Sequence, residues 1–172
     1  MVALDANFII RFILGAESES AFSSDLNKNI ARVLKGLPSK KYIIPAPALS
    51  EVMANMSKEE MSEFFNKIKN SSFFVVYPFD SVCAIEAAIA FKKARSGGDK
   101  KNGAEGKWQK IKVDYQIASI AKVHNASCIY TNDTDVIKIS ELFDIASKKI
   151  EDIPMVLGDK QVAFDFGDDC IH

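Results

Sequence analysis

Asp5, Glu51, Asp114 and Asp133 each follow a short apolar run or open a helical one. Carboxylates gathered in one place repel each other unless a cation joins them. Oxygen donors with no His pair and no Cys pair beside them suit Mg²⁺ or Mn²⁺ rather than zinc. Two such ions about 3.5–4 Å apart would serve the attacking water and the leaving oxygen of a phosphodiester hydrolysis. With a single ion, a carboxylate such as Asp114 would orient the water. Asp135 stands two residues beyond Asp133 and extends the acidic set. Without metal the acids should titrate as a coupled group, some of them protonated. Helix N-termini near Asp114 and Glu51 are expected to offset part of the repulsion. Water attack leaves a 5′-phosphate and a 3′-hydroxyl and needs no 2′-hydroxyl, so the chemistry alone does not separate RNA from DNA.

The elements that must position these acids alternate. Val2-Ala3-Leu4 reads as a short buried strand, and Asp5 is an available N-cap for the residues after it. Residues 18–36 carry Phe22, Leu26, Ile30, Val33 and Leu34 at helical spacing. Tyr42-Ile43-Ile44 is a second strand, and Pro45 and Pro47 lead into a helix with Glu51 in its first turns. Ser57 and Glu60 have capping-box spacing for a helix to about Lys69. Phe73–Tyr77 reads as a buried strand, and Asp80 or Ser81 caps a helix to about Arg95. Residues 96–111 read as a Gly- and Lys-rich insertion. A helix from about Val113 puts Ile117, Ile120, Ala121 and His124 inward, with Asp114 at its start. Cys128-Ile129-Tyr130 is a strand, Thr131–Asp135 caps a short helix, and residues 144–153 supply a last strand and turn. Short strands alternating with helices predict an α/β fold, a central mostly parallel sheet flanked by helices. Ligands of such sheets bind beyond the carboxyl ends of the strands, where Asp5 and Asp133 fall. Taken singly, Asp5, Asp114, Asp133 and Asp135 are explained as caps and turn residues, and Glu51 as a solvated helix residue. Their common rim in the inferred fold is what favours a metal site.

Four motifs carry a resemblance to the PIN-domain nucleases: Leu4-Asp5-Ala6-Asn7, Ser50-Glu51-Val52, Asp114-Tyr115-Gln116-Ile117-Ala118 and Tyr130-Thr131-Asn132-Asp133 with Asp135. They come in the family's order and span most of the chain. The resemblance implies a PIN-like three-layer sandwich, a Mg²⁺ or Mn²⁺ site formed by Asp5, Glu51, Asp114 and Asp133 with Asp135 nearby, and endonuclease action on single-stranded RNA. Small members serve as toxins restrained by an antitoxin, or in RNA maturation and decay, and many pair as homodimers; the helical face around residues 18–69 is the expected contact. Val136 replaces the aromatic residue common after the last acid. Residues 1–155 would form the domain, and 156–172 a C-terminal extension in which Gln161–Phe166 forms an edge strand.

Around the acids, Asn7 and Asn132 are candidates to orient carboxylates, and Thr131 to hold Asp133 or a water; capping and turn roles are the alternatives. Residues 92–112 hold eight basic residues against Asp99 and Glu105. Lys100, Lys101, Lys107 and Trp108 form a candidate substrate arm, basic groups for phosphates and a ring for an unpaired base, unless the segment is simply a solvated insertion. His124 reads as core. The composition, 48% hydrophobic and 26% charged with net charge −1, is that of a globular protein and excludes a wholesale electrostatic attraction to nucleic acid. Three widely spaced cysteines without a CxxC pair point to a reducing, cytoplasmic setting. No leader or membrane segment is expected. A non-catalytic PIN-like RNA-binding or assembly module and a structure-selective DNA nuclease are the rival readings.

Overall fold

In the computed structural model, residues 1–10 and 41–149 are described. The helix expected over 18–36 and the extension 156–172, with its edge strand, lie outside the described residues.

Five strands form one sheet, β1 (Val2–Leu4), β2 (Tyr42–Pro45), β3 (Phe74–Tyr77), β4 (Cys128–Tyr130) and β5 (Ala146–Lys148), in the order β3-β2-β1-β4-β5. Every pairing is parallel; Ala3 sits between Ile43 on one side and Ile129 on the other. The described helices are α1 (Ala6–Ile9), α2 (Ala46–Met53), α3 (Lys58–Asn70), α4 (Ser81–Ser96), α5 (Trp108–Val123) and α6 (Thr134–Ser140).

The strands alternate faces with a period of two residues, and each face is covered. Val2, Leu4, Tyr42, Ile44, Cys128 and Tyr130 pack with Phe8 of α1, Leu49 and Val52 of α2, and Phe64 and Ile68 of α3. Ala3, Ile43 and Ile129 face the other way, against Cys83, Ala90 and Ala94 of α4, Ile111, Tyr115 and Ala118 of α5, and Val136 and Ile139 of α6. The result is the three-layer α/β sandwich anticipated from the alternation of elements. The capping box of α3 forms as the spacing required: Glu60 N–H donates to Ser57 Oγ, and Ser57 N–H to Glu60 Oε2.

Several placements differ from the sequence reading. Helix α5 begins at Trp108, not Val113, because Trp108, Ile111 and Tyr115 already supply its inward face. Asp114 is therefore well inside the helix, and Glu51 lies in the last turns of α2, so neither acid sits at a helix N-terminus. Strand β3 is an edge strand, half-buried along its length, and Phe73 ahead of it is exposed. His124 closes α5, half-buried, and its ring stacks on Tyr77 with centroids 3.5 Å apart.

Candidate metal centre

Chain direction across the sheet reverses at β1: β2 and β3 extend one side, β4 and β5 the other. The crevice at such a switch point, beyond the strand C-termini, is where parallel sheets hold ligands. Asp5 leaves β1 and Thr131 leaves β4 at that crevice.

Asp5 is only 3% exposed. One carboxylate oxygen caps α1, accepting from Ala6 N–H at 2.8 Å, while Asp5 N–H donates to Tyr130 O. The other oxygen accepts from the hydroxyl of Thr131 at 2.7 Å. Thr131 Oγ1 in turn accepts from Asp133 N–H at 2.9 Å. A fully buried threonine thus ties the acid of one strand end to the acid of its neighbour. Asp133 caps α6 through Asp135 N–H.

Asp114, 4% exposed, faces the same crevice from the second turn of α5. One turn earlier, Lys110 extends its ammonium into the middle of the acids. Its Nζ lies 2.8 Å from Asp133 Oδ2, 2.9 Å from Asp135 Oδ2 and 3.5 Å from Asp114 Oδ2. Asp135 is held further by Glu105 N–H at 2.8 Å and Gly106 N–H at 3.2 Å. This fastens the Gly- and Lys-rich segment to the rim, and Ala104 is buried beside it.

The electrostatics follow from this placement. Burial pushes the Asp5 carboxyl up from 3.8 to about 6; the bonds from Thr131 and Ala6 oppose the shift, and the charges of Glu51 and Asp133 add to it. Burial likewise raises Asp114 to about 7, with Lys110 pulling it down and the charges of Asp133 and Asp5 pushing it up. For Asp135, burial is outweighed by Lys110 and the Glu105 amide, and the carboxyl falls below its ordinary range. Burial works against the charge of Lys110, but its bonds to Asp133 and Asp135 hold the ammonium above the ordinary lysine value.

The structure therefore brings Asp5, Asp114, Asp133 and Asp135 to one crevice, with exposed Glu51 near enough for its charge to reach Asp5. Thr131 links two of the acids. Asn7 is exposed on α1, and Asn132 is half-buried between Thr131 and Asp133. Of the basic arm, Lys107 precedes α5 and is exposed, and Lys101 donates to Gly106 O at 2.8 Å. Trp108 is half-buried, packed on Phe91 at 5.4 Å between centroids, with the ammonium groups of Lys100 and Lys112 over its ring. Lys110 is the residue among the acids that the motifs do not mark; its signal is the four-residue spacing to Asp114, legible once the helix is started at Trp108.

A family model described as PIN domain matches residues 2–142. The chain belongs to the PIN-domain family. No curated protein matches it. PIN domains are in general metal-dependent nucleases, and the acids of this one suit that chemistry: every donor is a carboxylate oxygen, the set preferred by hard divalent ions. Their spacing, however, is that of an ammonium site. Among the described residues, no three His, Cys, Asp or Glu side chains stand close enough together to hold a metal ion. No helix N-terminus stands at Asp114 or Glu51 as expected; the N-termini of α1 and α6 serve Asp5 and Asp133 instead, and Lys110 adds a positive charge among the acids of this PIN domain.

Proposed function

We propose that this PIN domain is a divalent-metal-dependent endoribonuclease that hydrolyses single-stranded RNA. The observation that carries the proposal is the convergence of Asp5, Asp114 and Asp133 at the switch point of a parallel sheet, in a chain whose family is nucleolytic. Asp5, Asp114 and Asp133 would hold Mg²⁺ or Mn²⁺, with Glu51 at the outer rim. When bound, the cation would polarise a phosphodiester oxygen and make a water more acidic. Asp114, in the second turn of α5, would orient the attacking water. Thr131 fixes the direction of the Asp5 carboxylate. Asp135 shapes the rim through residues 105 and 106 and by holding Lys110.

Lys107, exposed and next in sequence to Gly106, whose amide bonds Asp135, would meet the phosphates of a strand. Lys101 bonds Gly106 O in the same turn, Lys100 lies over the ring of Trp108, and Trp108 supports the segment from its half-buried position. The unpaired, buried Cys83 and Cys128 are consistent with a reducing cytoplasm. No helix among the described residues is long and apolar enough to cross a membrane. A role as the toxin of a toxin–antitoxin pair, with a protein inhibitor over the acids, or in RNA processing, belongs to the same reading. So does a homodimer through the face around residues 18–69, on which Phe65 is an exposed apolar residue.

The test is incubation of a mixed single-stranded RNA pool with Mn²⁺, with and without EDTA, and mapping of the product ends. Cleavage abolished by EDTA, with 5′-phosphate and 3′-hydroxyl ends, is the expected result. Binding without cleavage would favour the assembly-module reading. Cleavage of only the matched deoxyribo-oligonucleotides would favour a DNA nuclease.

A further inference from the structure

The acids are spaced for an ammonium. Lys110 Nζ stands 2.8, 2.9 and 3.5 Å from Asp133, Asp135 and Asp114, whereas Mg²⁺ takes its oxygens at about 2.0–2.1 Å. The oxygens of Asp133 and Asp114 that face the lysine are among those a divalent ion would need. An ammonium and a divalent ion cannot share them at these distances, because like charges so close repel strongly in a partly buried site. The Lys110 side chain is 45% exposed, so it has somewhere to go. Asp135 is its remaining seat, fixed independently by the amides of Glu105 and Gly106.

We propose that Lys110 is a built-in counter-ion that competes with the divalent cation for the acids. In the metal-free protein it joins carboxylates that would otherwise repel. When a divalent ion binds, Lys110 gives up Asp133 and Asp114 and keeps Asp135. Metal affinity is thereby lowered by the work of displacing the lysine, and the fold tolerates the absence of metal. This inference rests on the metal-site reading above.

The experiment measures Mn²⁺ binding, by the electron-paramagnetic signal of the free ion, to the full chain and to Lys110→Gln and Lys110→Met, without RNA. Melting temperature is followed across the same Mn²⁺ range. The variants should bind Mn²⁺ about tenfold or more tightly than the parent, since a positive charge has been removed from the site. They should melt lower without metal, and the gap should close as Mn²⁺ saturates, because a ligand of the folded state stabilises it by RT ln(1 + [L]/Kd), more for the tighter binder. Equal or weaker binding by the variants, with clear binding by the parent, overturns the competition and leaves the metal site standing. A melting gap that stays constant across the titration also overturns it, since a merely structural lysine would behave so. Binding by neither parent nor variants overturns both readings. If the variants do not fold, the parent alone decides: the ¹³Cε signal of Lys110 should shift or broaden on adding Mg²⁺. An unchanged signal at saturating Mg²⁺ would overturn the proposal.

Discussion

Thr131 joins two acids whose strands are neighbours in space and 126 residues apart in sequence, donating to Asp5 and accepting from Asp133 N–H. Thr131→Val keeps the shape, removes both bonds and leaves buried polar groups unpaired. It should cost about 1–3 kcal/mol in a urea titration, with Ser at the same position recovering most of the loss. Asp114 and Asp5 make the stability of the metal-free protein depend on pH. The folded pKa of Asp114, about 7, and that of Asp5, about 6, both lie above the ordinary 3.8. The folded state therefore binds these protons more tightly than the unfolded chain does. The stability they contribute is fully present below about pH 4 and is lost as pH rises through about 6 to 7. Asp114→Asn should accordingly raise the melting temperature of the metal-free protein at pH 8, and the advantage should shrink toward pH 5. A difference that does not vary with pH would mean that Asp114 is not held in this way. At this scale Asp5, Asp114, Asp133 and Asp135 were legible in the sequence as acids at the ends and starts of elements. Lys110 was not, because one lysine among eight basic residues shows its purpose only when its helical register with Asp114 is known.

Between α4 and α5, the segment that reads as a solvated insertion is tied down at several points. Asp99 accepts from Lys101 N–H and Gly103 N–H, Asn102 donates to Lys138 O, and Asp135 accepts from Glu105 and Gly106. Gly106 has a steric reason to be glycine: a Cβ there would lie 2.6 Å from Asp135 Oδ2. Gly106→Ala should push Asp135 aside, loosen the seat of Lys110 and cost about 1–3 kcal/mol, read as a lower denaturation midpoint. If the midpoint is unchanged, the contact between this turn and α6 is not a constraint on the site. Strands, capping box and the helix after Asp80 follow directly from apolar runs and cap residues, which are local signals. The start of α5 was hidden by Lys107, Lys110 and Lys112, whose charges outweigh Trp108 and Ile111 in a reading by hydropathy. The edge position of β3 was hidden too, since strand order is a tertiary property that an apolar run does not encode.

The whole molecule makes its site by topology. Two strand ends, one helix interior and one helix cap converge only because β4 returns to lie beside β1 rather than beyond β3. The alternation of elements made the α/β class legible, and the four motifs in order made the family legible. The spacing within the crevice was not, because it is set by side chains from separate elements that only the fold brings together. The central claim is that Asp5, Asp114 and Asp133 form one divalent-cation site once Lys110 yields. The most direct measurement is an anomalous difference map from crystals grown in Mn²⁺. A peak bonded to Asp5, Asp114 and Asp133, with Lys110 withdrawn toward Asp135, is the predicted result. At saturating Mn²⁺, a crevice still filled by the lysine, with no peak among the three carboxylates, would contradict the account.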